Sequence, residues 1–176
     1  RLNNLQHHNL FFDADFDQHA KEIYDNPKWP KNPLFYLSCP SITDPSLAPK
    51  GNENLMFLIP LAPGLEDSNE MREKYFDIVL KRLKDLTGND IEKNIIFKKS
   101  YCVNDFEKDY NSFKGNAYGL ANTLRQTAVL KPRMRNKKIK NLYYTGQLTV
   151  PGPGVPPSII SGQIAAIEID KYLNKL

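Results

Sequence analysis

The stretch Asn141-Leu-Tyr-Tyr-Thr-Gly-Gln-Leu-Thr-Val-Pro-Gly-Pro-Gly-Val-Pro-Pro-Ser-Ile-Ile-Ser-Gly162 decides the organisation of this chain. The apolar residues 142–144 predict a buried strand, which Gly146 ends. The prolines and glycines that follow predict an extended loop, and Ser158 is expected to begin a helix that runs almost to the C-terminus. A strand, a Gly/Pro loop and a helix N-terminus with free N–H groups are typical of a site for an anionic or electron-rich ligand.

The composition of this loop narrows the class of ligand. A phosphate-binding P-loop needs Gly-Lys-Ser/Thr, and a dinucleotide fingerprint needs G-x-G-x-x-G directly after a strand; the sequence contains neither. Because proline has no N–H, the donors that could face a ligand are confined to Gly152, Gly154, Val155 and Ser158. Few donors on a rigid loop favour a flat ring system over a triphosphate.

Four apolar runs upstream of the loop predict strands, at residues 34–39, 54–59, 94–97 and 100–103. The first two runs are nearly continuous in apolar residues, so both faces of their sheet are expected to be covered. A helix between the second and third runs completes a strand-strand-helix-strand order, which predicts an α+β fold.

Two helices are predicted in the same region. The longer one spans residues 71–86, with a capping box at Asp67–Glu70, an apolar stripe at helical spacing and Gly88 as its C-terminal stop. The shorter one spans residues 18–24, and the carboxylates of residues 13–17 are expected to stabilise its N-terminus.

No metal site is predicted. The acidic residues 13–17 do not form a calcium loop of the EF-hand type, because Gln18 and Tyr24 occupy the positions that require Gly and Glu. The three histidines lack zinc spacing. Cys39 and Cys102 lie far apart with no nearby histidine, which predicts two buried thiols in a reducing compartment.

The charge of the 176-residue chain is only slightly positive, at +4, so any basic partner surface must be local. Residues 131–140 carry six positive charges, but Pro132 breaks any helix there and no aromatic residue is present to stack on bases. A solvated loop is therefore expected, with attraction to anionic lipid as the alternative. The longest apolar run, residues 55–65, is interrupted by two prolines, so no membrane span is predicted.

Several of these segments, in this order, resemble the C-terminal part of bacterial phytoene desaturases, which are flavin-dependent carotenoid desaturases of the amine-oxidase-like superfamily. The resemblance extends over roughly residues 34 to 174. The segments that carry it are the loop 145–157, the helical segment 161–166, the upstream segment 117–128 and the strand regions 38–51 and 55–63.

This resemblance implies an FAD enzyme that takes a hydride from allylic carbons of a long polyene. By resemblance, Gly146 and Gln147 would lie by the phosphate and ribityl region of FAD. The helix from Ser158 would direct its positive end at the pyrimidine side of the flavin. No catalytic side chain is assigned, because the cofactor carries the chemistry. The residues expected to line the isoalloxazine are Gly152, Gly154, Val155 and Pro156.

The family also binds the adenosine half of FAD through a G-x-G-x-x-G unit, which this chain lacks. The resemblance therefore assigns residues 1–118 to part of a substrate-binding domain and residues 119–176 to the end of an FAD-binding domain. The expected fold is α+β (α/β in the full-length protein), with a mixed or antiparallel sheet covered by helices and the terminal strand-loop-helix of a Rossmann-like domain. The chain alone would hold half of an FAD site and is expected to be inactive.

The implied partners are a polyene lipid substrate and a membrane contacted peripherally from the cytoplasm, without nucleic acid. Two alternatives remain at this point. One is a related polyene oxidoreductase, such as a retinol saturase or a carotenoid isomerase, with the same loop. The other is a non-enzymatic α+β module whose basic loop, residues 131–140, binds anionic membrane or nucleic acid; it leaves the loop 146–162 without a role.

Overall fold

The computed structural model describes residues 2–121, 123–127 and 130–174. They form two compact units, residues 1–115 and 116–176. This division lies close to the predicted boundary after residue 118, while the assignment of the units to a substrate domain and a flavin domain stays a prediction. The elements are β1 (His8–Phe11), α1 (Phe16–Tyr24), β2 (Phe35–Ser38), β3 (Met56–Leu58), α2 (Asn69–Thr87), α3 (Val103–Tyr110) and α4 (Val155–Leu173).

The strands of the first unit form one antiparallel sheet in the order β1-β2-β3, which confirms the α+β class. The predicted strands 34–39 and 54–59 are confirmed as β2 and β3. The strand β1 was not predicted, because its sequence His8-Asn9-Leu10-Phe11 is too short and too polar at its start to show a strand pattern.

One face of this sheet packs against α2. Phe11 and Phe35 stack with their ring centroids 4.3 Å apart, and Leu37 lies beside them with no exposed surface. Val79 and Leu83 of α2 complete this core, so the helix stripe predicted from residues 71–86 is confirmed at its centre.

The other face of the sheet is open, so the expectation that both faces are covered is wrong for this chain. Leu10 lies opposite Tyr36, which lies opposite Leu58, and all three point to this face. Leu10 is 65% exposed, and Met56 and Leu58 are 49% and 38% exposed. A continuous apolar run predicts burial on both faces only where a second layer is present to provide it.

The start of α2 differs in detail from the predicted capping box. Ser68, not Asp67, is the N-cap, and its hydroxyl accepts the N–H of Met71 at 3.2 Å. Asp67 instead accepts two hydrogen bonds from the Arg72 guanidinium, both at 2.6 Å. The helix ends at Gly88, whose φ of +79° gives the left-handed cap that was predicted.

The predicted strands 94–97 and 100–103 are wrong. Residues 95–102 have no regular structure, and Val103 begins α3 in a segment that was expected to be strand. The cap of α3 explains this outcome, because the Asp105 carboxylate accepts the Cys102 N–H at 2.8 Å and Asp67 accepts the Asn104 N–H at 2.9 Å. These carboxylates satisfy N–H groups that a strand would need for pairing.

The predicted helix 18–24 is confirmed as α1, with Asp15 as its N-cap. Asp13 forms an ion pair with Arg82 of α2, so this part of the acidic segment joins two elements of the first unit.

Cys39 is fully buried, and burial raises the pKa of its thiol. Cys102 is only partly buried, and both cysteines are free.

Candidate cofactor site

The Gly/Pro loop lies in the second unit and is preceded by a turn rather than by the predicted strand. Residues 142–144 form a single β-bridge, between Arg135 and Tyr143. The Tyr144 N–H donates to the Met134 carbonyl at 2.8 Å, but Leu142 and Tyr144 are 37% and 45% exposed. Two short segments without neighbouring strands do not extend into a ladder, because a lone pair buries too little surface.

The basic segment 131–140 is folded by Asn136. Its side-chain oxygen accepts the N–H groups of Lys138 and Ile139 at 2.8 and 2.9 Å and closes the turn. Most cations of the segment are exposed, as the prediction of a solvated loop required. Lys131 is the exception, because it is only 5% exposed.

Ser161 of α4 holds the start of the loop. Its hydroxyl accepts the Gly146 N–H at 2.7 Å and donates to the Ser158 carbonyl at 2.6 Å. Ser161 has no exposed surface. Two predicted site residues, Gly146 and Ser158, are therefore brought together through a third residue that was not predicted to act there.

The middle of the loop is fixed by Thr149 and by packing on Gly119. The Thr149 hydroxyl donates to the Pro132 carbonyl at 2.9 Å, and Thr149 is 2% exposed. Gly119 has a φ of +82°, which L side chains rarely adopt, and a Cβ there would lie 2.6 Å from the Leu148 side chain, so glycine favours this approach. The neighbouring Gln147 side chain also lies against Gly119, 3.7 Å from the same position.

The helix α4 begins three residues earlier than predicted, at Val155 rather than Ser158. Pro156 and Pro157 occupy its first turn, where proline is tolerated because these N–H groups have no intrahelical partner. Ser158 donates its N–H to the Gly154 carbonyl at 3.0 Å, so this donor is used inside the helix. Ser158 is therefore not among the N–H donors that can face a ligand, contrary to the prediction.

The remaining predicted donors lie close together in sequence at the loop end, where α4 begins. Within the described residues, the N–H groups of Gly152, Gly154 and Val155 donate no hydrogen bond. Gly152 and Gly154 have φ values of +138° and +112°, which L side chains rarely adopt. Pro156 follows in the first turn of α4 and offers a ring face but no donor.

Two buried polar atoms of the described residues have no hydrogen-bond partner, the Lys131 Nζ and the Tyr143 Oη. Both belong to this unit. Lys131 extends beneath the loop, since a Cβ at Gly152 would lie 3.1 Å from its Cε and 3.5 Å from its Nζ. Buried polar atoms without partners are uncommon in folded proteins and call for an explanation.

The loop end brings close together a helix N-terminus, three N–H groups that donate no hydrogen bond within the described residues, and a buried ammonium. These groups fit an electron-rich ring that accumulates negative charge. Ser161 and Lys131 were missed from the sequence. Ser161 could have been found as a small polar residue one turn into an otherwise apolar helix, whereas Lys131 gave no signal among the other cations of its segment.

None of the helices in the described part of the chain combines the length and the apolar character needed to cross a bilayer. Within the described residues, no group of three or more His, Cys, Asp or Glu side chains is placed to hold a metal ion.

Comparison with known proteins connects the whole chain to one family, although no family model matches it. The chain is 47% identical to a carotenoid 3,4-desaturase of Haloarcula japonica, over 92% of its own length and 33% of that protein. It is 34% identical to a 4,4'-diapophytoene desaturase (4,4'-diaponeurosporene-forming) of Staphylococcus haemolyticus, over 92% of the chain and 33% of the relative. A 4,4'-diapolycopen-4-al dehydrogenase of Metabacillus indicus is 33% identical, over 85% of the chain and 30% of the relative.

The chain thus spans about one third of the length of the curated relatives it matches. The match includes both units, because more than nine tenths of the chain aligns with the first of these proteins. By these similarities, the chain belongs to the carotenoid desaturase family.

Proposed function

We propose that the protein to which this chain belongs is an FAD-dependent oxidoreductase that desaturates a long polyene such as phytoene. The observation that carries the proposal is the loop end at Gly152, Gly154 and Val155, whose N–H groups donate no hydrogen bond within the described residues and which leads directly into the N-terminus of α4. The names of the relatives support the substrate class, since each refers to a carotenoid.

The bound flavin would supply the hydride acceptor: a hydride leaves an allylic carbon, a proton leaves the neighbouring carbon, and a C=C bond forms between them. The residues of this chain bind and orient. The positive end of α4 favours negative charge on the ring, and the Gly146–Ser161 hydrogen bond holds the start of the loop at a fixed distance from that helix. The two prolines of the first turn keep the helix N-terminus rigid.

The open apolar face of the sheet supports a hydrocarbon substrate. Leu10 of β1 and Met56 and Leu58 of β3 present apolar side chains on the two sides of the central strand β2, and each is at least one third exposed. A polyene has no polar group to recognise along most of its length, so an apolar surface of this kind is what its binding requires.

Peripheral contact with a membrane, from the cytoplasmic side, is part of the same proposal, because the substrate dissolves in lipid. Phe12 and Phe16 are 59% and 64% exposed, and their rings meet edge to face at 6.4 Å. Exposed aromatic pairs are suited to the interfacial region of a bilayer. Flotation of the full gene product with liposomes tests this: changing both residues to Ser should release the protein, and unchanged flotation would contradict it.

The activity is tested by expressing the full gene product in a bacterial host that accumulates phytoene and analysing the pigments by chromatography and mass. Desaturation removes two hydrogen atoms per step and moves the absorption to longer wavelength. A product of unchanged mass would indicate an isomerase, a gain of two hydrogens a saturase, and added oxygen an oxygenase, the reaction named for a 31% identical relative. Any of these three results would overturn the desaturase assignment.

Val155 provides a matched pair of variants. It is 75% exposed at the first position of α4, so Val155→Asp is compatible with the helix and adds a negative charge where the flavin ring is expected. We expect Val155→Asp to lower desaturation about tenfold or more through repulsion of the reduced ring, and the near-isosteric, neutral Val155→Asn to retain most activity. Equal activity in the two variants would place the ring elsewhere.

The matches do not favour the alternative of a free-standing binding module. They include both units, and the relatives carry the names of enzymes. The retinol saturase and isomerase alternatives are separated by the product masses described above.

A further inference from the structure

Lys131 is a buried cation without a partner. It is 5% exposed, and within the described residues its Nζ donates no hydrogen bond and pairs with no carboxylate. An ammonium removed from water without compensation costs several kcal/mol, and proteins keep such a group buried when something else neutralises it. The other five cations of the segment 131–140 are exposed and incur no such cost.

The position of Lys131 is determined by the loop itself. The carbonyl of the next residue, Pro132, accepts the Thr149 hydroxyl at 2.9 Å, which ties the backbone beside Lys131 to the middle of the loop. The Lys131 side chain then passes under Gly152, where a Cβ would lie 3.1 Å from its Cε. The ammonium is therefore held at the loop end that also carries the unused N–H groups.

The surroundings of Lys131 favour an anion. A cavity of about 410 Å³ is lined by Lys131 together with Arg133, Arg135 and Lys137, and no Asp or Glu lines it. Cations without an acidic neighbour in the same cavity wall raise the cost of an unpaired ammonium and favour a negative group beside it. Because Arg133, Arg135 and Lys137 are exposed and screened by water, the buried Lys131 is expected to contribute most to this attraction.

We infer that Lys131 is a cofactor contact whose ammonium pairs with the negative charge that develops on the pyrimidine edge of a reduced flavin bound against Gly152. This inference rests on the proposed function. It adds a side-chain cation to the backbone N–H groups and helix N-terminus already described, and it explains why a lysine is buried there. The same ammonium could instead contact a phosphate of FAD, and the experiment below separates these two sources of negative charge.

The test uses the full gene product, purified with its flavin, and three variants. Lys131→Met keeps the length of the side chain and removes its charge, and Lys131→Arg keeps the charge. Lys137→Met removes an exposed cation from the lining of the same cavity and serves as the control for net charge. The three readouts are the flavin midpoint potential, the affinity for sulfite and the dissociation constant of FAD. Sulfite is informative because its addition to the ring leaves negative charge at the pyrimidine edge.

Lys131→Met should weaken the binding of reduced flavin about tenfold relative to oxidised flavin. For a two-electron couple, this corresponds to a flavin midpoint potential that is lower by about 30 mV. Sulfite affinity should fall by a similar factor, while Lys131→Arg and Lys137→Met stay close to the unmodified protein. A change in FAD affinity with an unchanged potential would assign Lys131 to a phosphate and overturn the inference. No change in either quantity would also overturn it. If the unmodified protein holds no flavin, the proposed function fails and this inference fails with it.

Discussion

The hydroxyl of Ser161 lies 2.7 Å from the Gly146 nitrogen and joins the start of the Gly/Pro loop to the helix that follows its end. The segment between them has 14 residues, from 147 to 160, of which 155–160 are the start of α4, and it contains all the positions at which a ring is proposed to bind. This hydrogen bond joins the start of the loop directly to the helix at its other end. The same hydroxyl donates to the Ser158 carbonyl, so both of its hydrogen-bonding roles are used.

Replacement of Ser161 by Ala is expected to destabilise the second unit by about 1–3 kcal/mol, because the half-buried Gly146 N–H loses its acceptor. In the full gene product, flavin affinity should fall as well, since the loop is released from α4. Thermal unfolding and flavin titration measure the two effects.

Gln163→Ala is the matched control for Ser161→Ala. Gln163 is exposed on the same helix, and alanine is the better helix former, so stability should be unchanged or slightly higher. Equal stability of the Ser161 and Gln163 variants would show that the hydrogen bond to Gly146 contributes little.

Gly152→Ala should also destabilise the second unit, by about 1–3 kcal/mol. A φ of +138° is strained for alanine, and its Cβ would meet the Lys131 side chain at 3.1 Å. Gly162→Ala offers the opposite case, because Gly162 lies inside α4 with no atom within 4 Å of the added Cβ. That change should stabilise the chain by about 0.5–1 kcal/mol. Chemical denaturation of the two variants in parallel tests the difference in sign, and two shifts in the same direction would contradict it.

Much of the first unit could be predicted from its sequence. The helix α2 follows from apolar spacing over five turns and from Gly88, whose lack of a side chain suits the left-handed cap. The strands β2 and β3 follow from continuous apolar runs. The local pattern of apolar residues determines these elements, so the sequence alone is sufficient to predict them.

The predictions from sequence are wrong where contacts with residues far away in the sequence override the local preference for a strand or for solvent exposure. Residues 100–103 have the composition of a strand, but Asp67, more than 30 positions away, accepts the Asn104 N–H and helps to start a helix. The burial of Lys131 likewise depends on the Thr149 hydrogen bond to Pro132. No sequence pattern within ten residues of either position indicates these contacts. The sequence therefore locates the loop of the candidate site but does not identify all the residues that form the site.

The Asp67–Arg72 pair predicts an acid-dependent loss of stability. The hydrogen bond from Arg72 lowers the pKa of the Asp67 carboxyl below its ordinary value of 3.8, although burial opposes this shift. A carboxyl with a lowered pKa in the folded state contributes stability above the ordinary value, and this contribution is lost as the pH falls through the lower, folded-state pKa. The free energy of unfolding should therefore decline as the pH falls below about 4.

Asp67→Asn should remove part of this pH dependence and cost about 3 kcal/mol at neutral pH, because the Asp67 side chain is fully buried and Arg72 is only 15% exposed. Asp85→Asn is the control, since the Lys81–Asp85 pair is exposed and should contribute less than about 0.5 kcal/mol. Urea denaturation at a series of pH values measures both. A parallel pH profile for the Asp67→Asn variant would mean that other carboxyls cause the decline.

The isolated 176-residue chain is expected to bind FAD weakly or not at all, whereas the full gene product should bind it tightly. The second unit contributes the loop end and the N-terminus of α4, which are proposed to contact one edge of a ring, but the chain contains no G-x-G-x-x-G to hold a pyrophosphate. Contacts to the ring alone omit the charged half of the cofactor, and each lost charge-assisted hydrogen bond costs about 1.5–3 kcal/mol. Titration followed by flavin fluorescence measures the affinity, with FMN and riboflavin as controls. If the chain retains only ring contacts, the three ligands should bind with similar, weak affinity; tight, stoichiometric binding of FAD alone would show that a complete dinucleotide site is present in these residues.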